Sequence, residues 1–285
     1  AGVGLDLKDG LTFAVERMNA AGGVLGKEIQ IVWADIKNQS SEECELAFQA
    51  VERAGVYGLF PGANFIGSAC VHSGGTRPQP MFHDCASKEY VDAVLANLPD
   101  YGNVFQMCAS ERYYGPNAVE IMTSALPMEY SNKKMALTGG NITYDMYIQA
   151  GIKEAAAEIG WEIVLDDTYQ YDNTEFGPQL AKIRAENPAI IYALCTSQPS
   201  AVAFMNQFLQ NPTQSVIYIQ WSPVSPEFIG TLQEKANGVT WATLVAGLPN
   251  EENAQYAEEF ETRFNRPPGA GLPYFIDDHL QIWKL

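Results

Sequence analysis

Cationic side chains are scarce in this chain: 17 Lys and Arg stand against 34 Asp and Glu, a net charge of −17. That balance repels a phosphate backbone and an anionic lipid surface, so nucleic acid and charged membrane faces are not expected partners. Histidine is rarer still, with three copies, and none of the five cysteines forms a CxxC pair. A zinc site and a dithiol redox motif therefore have no support. The odd cysteine count also argues against a disulfide framework. Buried free thiols are the reading the spacing favours. Cys85 and Cys108, which close the apolar runs MFHDC and VFQMC, are the bridge the pattern allows.

No apolar run approaches the roughly 18 residues of a membrane-spanning helix. Catalytic motifs are missing as well. There is no G-x-S-x-G elbow, and His83, Asp84 and Ser87 lie too close in sequence to meet as a triad. Gly2-x-Gly4 follows no strand and lacks the third glycine of a dinucleotide fingerprint, and the Pro61-Gly62 turn lacks the lysine of a phosphate loop. An enzyme is not expected, nor is a cofactor.

What the chain does have is a large apolar fraction, 47%, and 285 residues, enough for two cores. Leu7, Leu11, Ala14, Val15 and Met18 follow a helical period that Gly22-Gly23 stops. Lys27 to Ala34 (KEIQIVWA) alternates like a strand, and Ser40, Ser41 and Glu43 cap a helix running to Val51. Strands follow at 56–60, 80–83 and 103–107, with a helix from Gly67 to Ser73. The rhythm restarts after Glu111. Helices fall at 117–126, 147–159, 176–186 and 201–209, and strands at 134–138, 162–165, 189–194, 216–220 and 239–244. A long helix spans Glu251 to Phe264.

Alternating strands and helices predict parallel, doubly wound α/β sheets. Two such runs, split near residue 110, predict two lobes. The first takes 1–110 plus 249–285 and the second 111–248, with a ligand cleft between them. The first helix has no strand before it, and Ile282-Trp283-Lys284-Leu285 stops inside an amphipathic pattern. The ends therefore read as cut.

The stretch GLTFAVERMNAAGGVLGKEIQIVWAD carries a pattern of its own: Asn19, Gly22, Gly23, Gly26, Lys27 and Asp35. It resembles the opening of periplasmic leucine/isoleucine/valine-binding proteins and related amide and urea binders. YGLFPGANFIGSA is similar to that family's second ligand loop, and SERYYGPNAVEIM to its first crossover between lobes. GLPNEENAQYAEEFETRFNRPP is similar to the second crossover and the helix after it.

The resemblance implies the type 1 periplasmic binding protein fold: two Rossmann-like lobes with parallel sheets, joined by a hinge and closing over a small solute. It implies an extracytoplasmic protein, periplasmic or extracellular, whose secretory signal is removed and which a lipid can anchor. The implied protein is a monomer and hands an amino acid, amide or aromatic solute to the membrane permease of an ABC importer. The alternative is a ligand-sensing ectodomain or an amide-responsive regulator of the same fold.

By the same resemblance, Phe65, Ile66 and Gly67 open a helix whose N–H groups receive a carboxylate or carbonyl. Ala86 and Ser87 add a further N–H and a hydroxyl. Tyr144 covers the ligand, Gln198 and Trp221 follow strand ends, Tyr274 reaches toward the cleft, and Glu111 sits at the first crossover. Amino-acid binders of the family carry an acidic residue where this chain has Trp221. A buried ammonium needs such a partner. Trp221, Tyr144 and Tyr274 therefore point to an aromatic or neutral solute, with Glu111 or Asp145 as the alternative source of charge.

Overall fold

The computed structural model describes residues 2–37, 40–62, 69–83, 88–242, 249–269 and 271–284. The chain divides into two compact units, Ala1–Ala109 with Leu244–Leu285, and Ser110–Thr243. The first unit contains α1 (Gly2–Ala20), α2 (Ser41–Arg53), β1 (Leu59–Gly62), α3 (Ala69–Gly75), β2 (Met81–His83), α4 (Lys88–Ala96), α5 (Leu98–Tyr101) and β3 (Val104–Gln106). The second contains α6 (Tyr114–Glu120), β4 (Lys134–Gly140), α7 (Thr143–Glu158), β5 (Glu162–Tyr169), α8 (Gly177–Glu186), β6 (Ile190–Leu194), α9 (Gln198–Phe208), β7 (Val216–Ile219), α10 (Pro226–Leu232) and β8 (Val239–Thr240). α11 (Glu251–Phe264) and α12 (Leu272–Lys284) return to the first unit.

In the first unit, α1 uses two faces. Leu11, Ala14, Val15 and Met18 pack with Ile276 and Leu280 of α12. Phe13 meets Tyr256 and Phe260 of α11 edge-on, with ring centroids 5.2 and 5.5 Å apart. The Asn-x-x-Gly-Gly run then has a mechanical reading. Asn19 Oδ1 accepts from the Ile29 N–H at 2.8 Å, and its Nδ2 donates to the Ile29 carbonyl at 3.0 Å. Gly23 has φ +70°, and a Cβ there would lie 2.0 Å from the Lys27 carbonyl oxygen, so no other residue fits the turn.

Two sequence expectations are corrected here. The segment 27–34 is not a ladder strand: beyond an isolated Val24–Lys27 bridge it pairs with no strand among the described residues. Its alternation is real, since Ile29 and Ile31 pack inward while Trp33 stays half-exposed. Alternation reports a face, and a strand also needs a neighbour to bond. The cysteines are the second correction. Cys44 on α2 and Cys70 on α3 form a disulfide, so they are not the buried free thiols expected. The packing of α2 on α3 brings them together, and no local spacing motif announces it. Cys85, half of the bridge expected from the sequence, lies outside the described residues.

β1, β2 and β3 form a parallel sheet in that order. The second unit has a five-stranded parallel sheet, ordered β5-β4-β6-β7-β8. β6 is buried along its whole length, as a strand covered on both faces must be. Ile191 and Ala193 face the layer of α8, α9 and α10, against Leu180, Ile183, Phe204, Phe208 and Phe228. On the alternate face, the Tyr192 hydroxyl reaches the Ala118 carbonyl of α6 at 3.5 Å. α6 and α7 cross closely at Gly115, where a Cβ would sit 2.4 Å from the Ile148 carbonyl oxygen. β5 runs on to Tyr169 and β4 to Gly140, both longer than the alternation predicts.

Candidate functional site

The strand order of the second unit fixes where chemistry can gather. From β4 the chain steps outward to β5, then crosses back to β6 on the other side and continues to β7 and β8. The order therefore reverses between β4 and β6. Helices following these two strands leave in opposite directions and open a crevice beyond the carboxyl ends, the place where open α/β sheets hold ligands.

The residues at that crevice form one connected polar edge. Asp145, in the first turn of α7, spans it. Its Oδ2 accepts from the Gly140 N–H at the end of β4 at 2.8 Å, and its Oδ1 accepts from the Thr196 hydroxyl just past β6. Asp145 is fully buried. Burial pushes its carboxyl up to about 7, against the pull of the Thr196 and Gly140 hydrogen bonds.

Next to it, Tyr144 accepts from Gln220 Nε2 at 3.0 Å, and Gln220 Oε1 accepts from the Tyr218 hydroxyl at 2.6 Å. The Tyr144 ring lies edge-on to Tyr114 at 5.9 Å. Asn141 holds the turn after β5, with its Oδ1 accepting from the Tyr171 N–H at 2.9 Å.

Trp221 follows Gln220 with φ 65° and ψ −51°, and the Ser222 N–H closes back on the Gln220 carbonyl at 2.8 Å. This is a γ-turn of the rarer, strained hand, unusual for any residue but glycine. A bulky side chain held in such a conformation costs of the order of 1–3 kcal/mol and persists only where its surroundings fix it. Here they do: the Ser222 hydroxyl donates to the Cys195 carbonyl, and the Val224 N–H donates to the Trp221 carbonyl at 2.9 Å. Gln198 is the first residue of α9, and its buried Nε2 has no hydrogen-bond partner among the described residues.

The structure thus brings Tyr144, Gln198 and Trp221 to the carboxyl edge of one sheet. Glu111 begins a short 3₁₀ turn at the start of the same unit. It is fully buried and accepts from the Ser110 hydroxyl at 3.0 Å. Tyr274 belongs to the first unit, where its ring packs on Tyr256 at 4.6 Å and borders an open groove with Pro249, Asn250 and Asn253. Phe65, Ile66, Gly67, Ala86 and Ser87 lie outside the described residues. Sequence reading passed over Thr196, Gln220 and Ser222. Their signal was position alone, one to three residues past a strand end.

Burial holds His83 and His279 each near 4, so both are neutral at pH 7. Among the described residues no group of three His, Cys, Asp or Glu is placed to hold a metal ion, and no helix is long and apolar enough to cross a membrane.

The family model for periplasmic binding proteins matches residues 1–272. The chain belongs to the periplasmic binding protein family. Its fold is the type 1 form, two parallel-sheet α/β lobes, and the family is that of solute-binding, non-enzymatic components of ABC transporters. Among solved structures, a putative branched-chain amino acid ABC transporter protein from Silicibacter pomeroyi is similar at 25% identity and TM-score 0.88, over 99% of this chain and 72% of that one. The branched-chain amino acid transporter substrate-binding protein LivJ of Streptococcus pneumoniae, in complex with isoleucine, is similar at 20% identity and TM-score 0.83, over 100% and 79% of the two chains. A solute-binding protein from R. palustris, in complex with benzoate, is similar at 18% identity and TM-score 0.77, over 100% and 77%. No curated protein matches.

Proposed function

We propose that this periplasmic binding protein captures a small carboxylate-bearing aromatic solute outside the cytoplasm. It then delivers that solute, chemically unchanged, to the membrane permease of an ABC importer. Capture proceeds by hinge closure. The observation that carries the reading is the edge beyond β6 and β7: Trp221 fixed in a strained γ-turn beside the Tyr144–Gln220–Tyr218 chain. An aromatic face backed by a neutral amide suits a flat solute, and the Asp145 oxygens there already accept hydrogen bonds from Gly140 and Thr196. Two similar structures hold solutes that bear a carboxylate, isoleucine and benzoate. Benzoate is the better match to an aromatic wall.

Trp221→Ala removes the stacking face. Isothermal titration is expected to show benzoate binding weakened at least about tenfold, roughly 1.4 kcal/mol, with the unfolding transition retained. Unaltered benzoate affinity in that variant would remove Trp221 from the site and with it the aromatic reading.

A further inference from the structure

Among the described residues, Asp145 is the one carboxylate that joins both sides of the second unit's switch point. It ties the end of β4 through Gly140 to the residue two past β6 through Thr196, and its burial is complete. The titratable groups that sense it are Tyr169 and Tyr171 at the end of β5 and Cys195 after β6. All three are neutral. Burial pushes the Cys195 thiol up to about 12 and raises both tyrosines. Tyr144 adjoins it on its own helix. Among the described residues no ion pair includes Asp145, and the groups that act on its carboxyl are the neutral Thr196 hydroxyl and Gly140 N–H.

The hydrogen-bond inventory then gives two states. Ionised, Asp145 accepts at both oxygens, and the Thr196 hydrogen is spent on Oδ1. Protonated at Oδ1, Asp145 donates to Thr196 Oγ1, and the Thr196 hydrogen turns away as a free donor. Gly140 keeps its acceptor in both states. A carboxylate-bearing solute at this edge favours the second state twice, through relief of like-charge repulsion and through the donor gained.

We propose that Asp145 is a proton-linked positioning residue of the solute site, so that capture of an anionic aromatic solute draws one proton from solvent onto its carboxyl group. This rests on the capture reading given above. The proton is exchanged with water, and no bond of the solute changes.

The test uses the full chain and benzoate. Isothermal titration from pH 6 to pH 8 is expected to show the dissociation constant rising toward about tenfold per pH unit above neutrality. Repeating it in two buffers of different ionisation enthalpy should show net proton uptake on binding. Asp145→Asn keeps an acceptor for Gly140 and a donor for Thr196, and is expected to abolish the slope. Thr196→Val removes a hydrogen bond to the ionised form and is expected to move the onset of the slope to higher pH. It keeps the test decisive if Asp145→Asn does not fold. Carboxyl carbon NMR of the ligand-free chain should place the Asp145 titration near neutrality.

Binding with no pH slope, a slope of opposite sign, or an Asp145 that titrates below about pH 5 overturns the proposal while leaving capture intact. Absence of benzoate binding at every pH overturns both.

Discussion

Phe176→Ala is expected to destabilise the second unit by about 3–5 kcal/mol, the cost of removing a buried aromatic ring without collapse of the space it leaves. Phe176 is fully buried just ahead of α8. Its ring meets Tyr169 and Phe204 edge-on, at 5.1 and 5.4 Å, and Phe204 stacks on Phe208 at 6.2 Å. The cavity would open between the sheet and the α8–α9 layer, where the surrounding helices are fixed by other contacts. The Phe176 N–H donates to Gln207 Oε1 at 2.9 Å, so the backbone stays anchored to α9 and cannot close the gap.

The effect should also reach the site edge. Tyr169 loses its packing partner, and its hydroxyl bonds the Cys195 thiol at 3.1 Å, one residue from Thr196. Native-state hydrogen exchange is the measurement, because a chain of two units need not unfold in one step. The β6 amides should lose protection by the stated amount while α1 and α2 amides keep theirs. A loss below about 1 kcal/mol would mean that this layer repacks freely.

Reducing the Cys44–Cys70 disulfide, or replacing both residues by alanine, is expected to cost the first unit about 3–4 kcal/mol. The bridge closes a loop with a sequence separation of 26, and both sulfurs lie inside the apolar cluster with Phe48, Leu59, Met81 and Tyr90. Loop closure restricts the unfolded chain, and that restriction supplies most of the effect in the entropic account. The sheet of this unit spans three short strands among the described residues. The covalent tie between α2 and α3 is therefore a large share of what holds their layer. Denaturant unfolding with and without reductant should separate the two units. β1 and β2 amides lose protection and β4 and β6 amides do not. Equal protection in both conditions would show that helix packing alone suffices.

The second unit was the more legible of the two from sequence. Strands such as AIIYAL are buried on both faces and appear as unbroken apolar runs, and helix α11 begins and ends where the pattern places it. The first unit was harder. KEIQIVWA alternates as a strand should, yet alternation cannot say whether a neighbour offers hydrogen bonds. The disulfide depends on how α2 meets α3, which no local spacing encodes. α4, α5 and α10 were missed as elements, and of α12 only the amphipathic pattern of its last residues was noted.

At the site, Tyr144, Gln198 and Trp221 came from the family resemblance, and the structure adds why they share an edge: the strand order reverses there. Two features were out of reach. A tryptophan at positive φ leaves no trace in a sequence, because the hydrogen bonds of Ser222 and Val224 impose it. Asp145 was read as an alternative source of charge, but its full burial has no sign in the sequence. Only the crossing of β4 and β6 connections buries it.

Capture of an aromatic carboxylate without chemistry is tested most directly by titrating the full chain with benzoate at pH 6, then releasing the bound compound and identifying it by mass spectrometry. Saturable binding at one site per chain and recovery of unaltered benzoate are expected. Absence of saturable binding, or recovery of a chemically changed product, contradicts such capture.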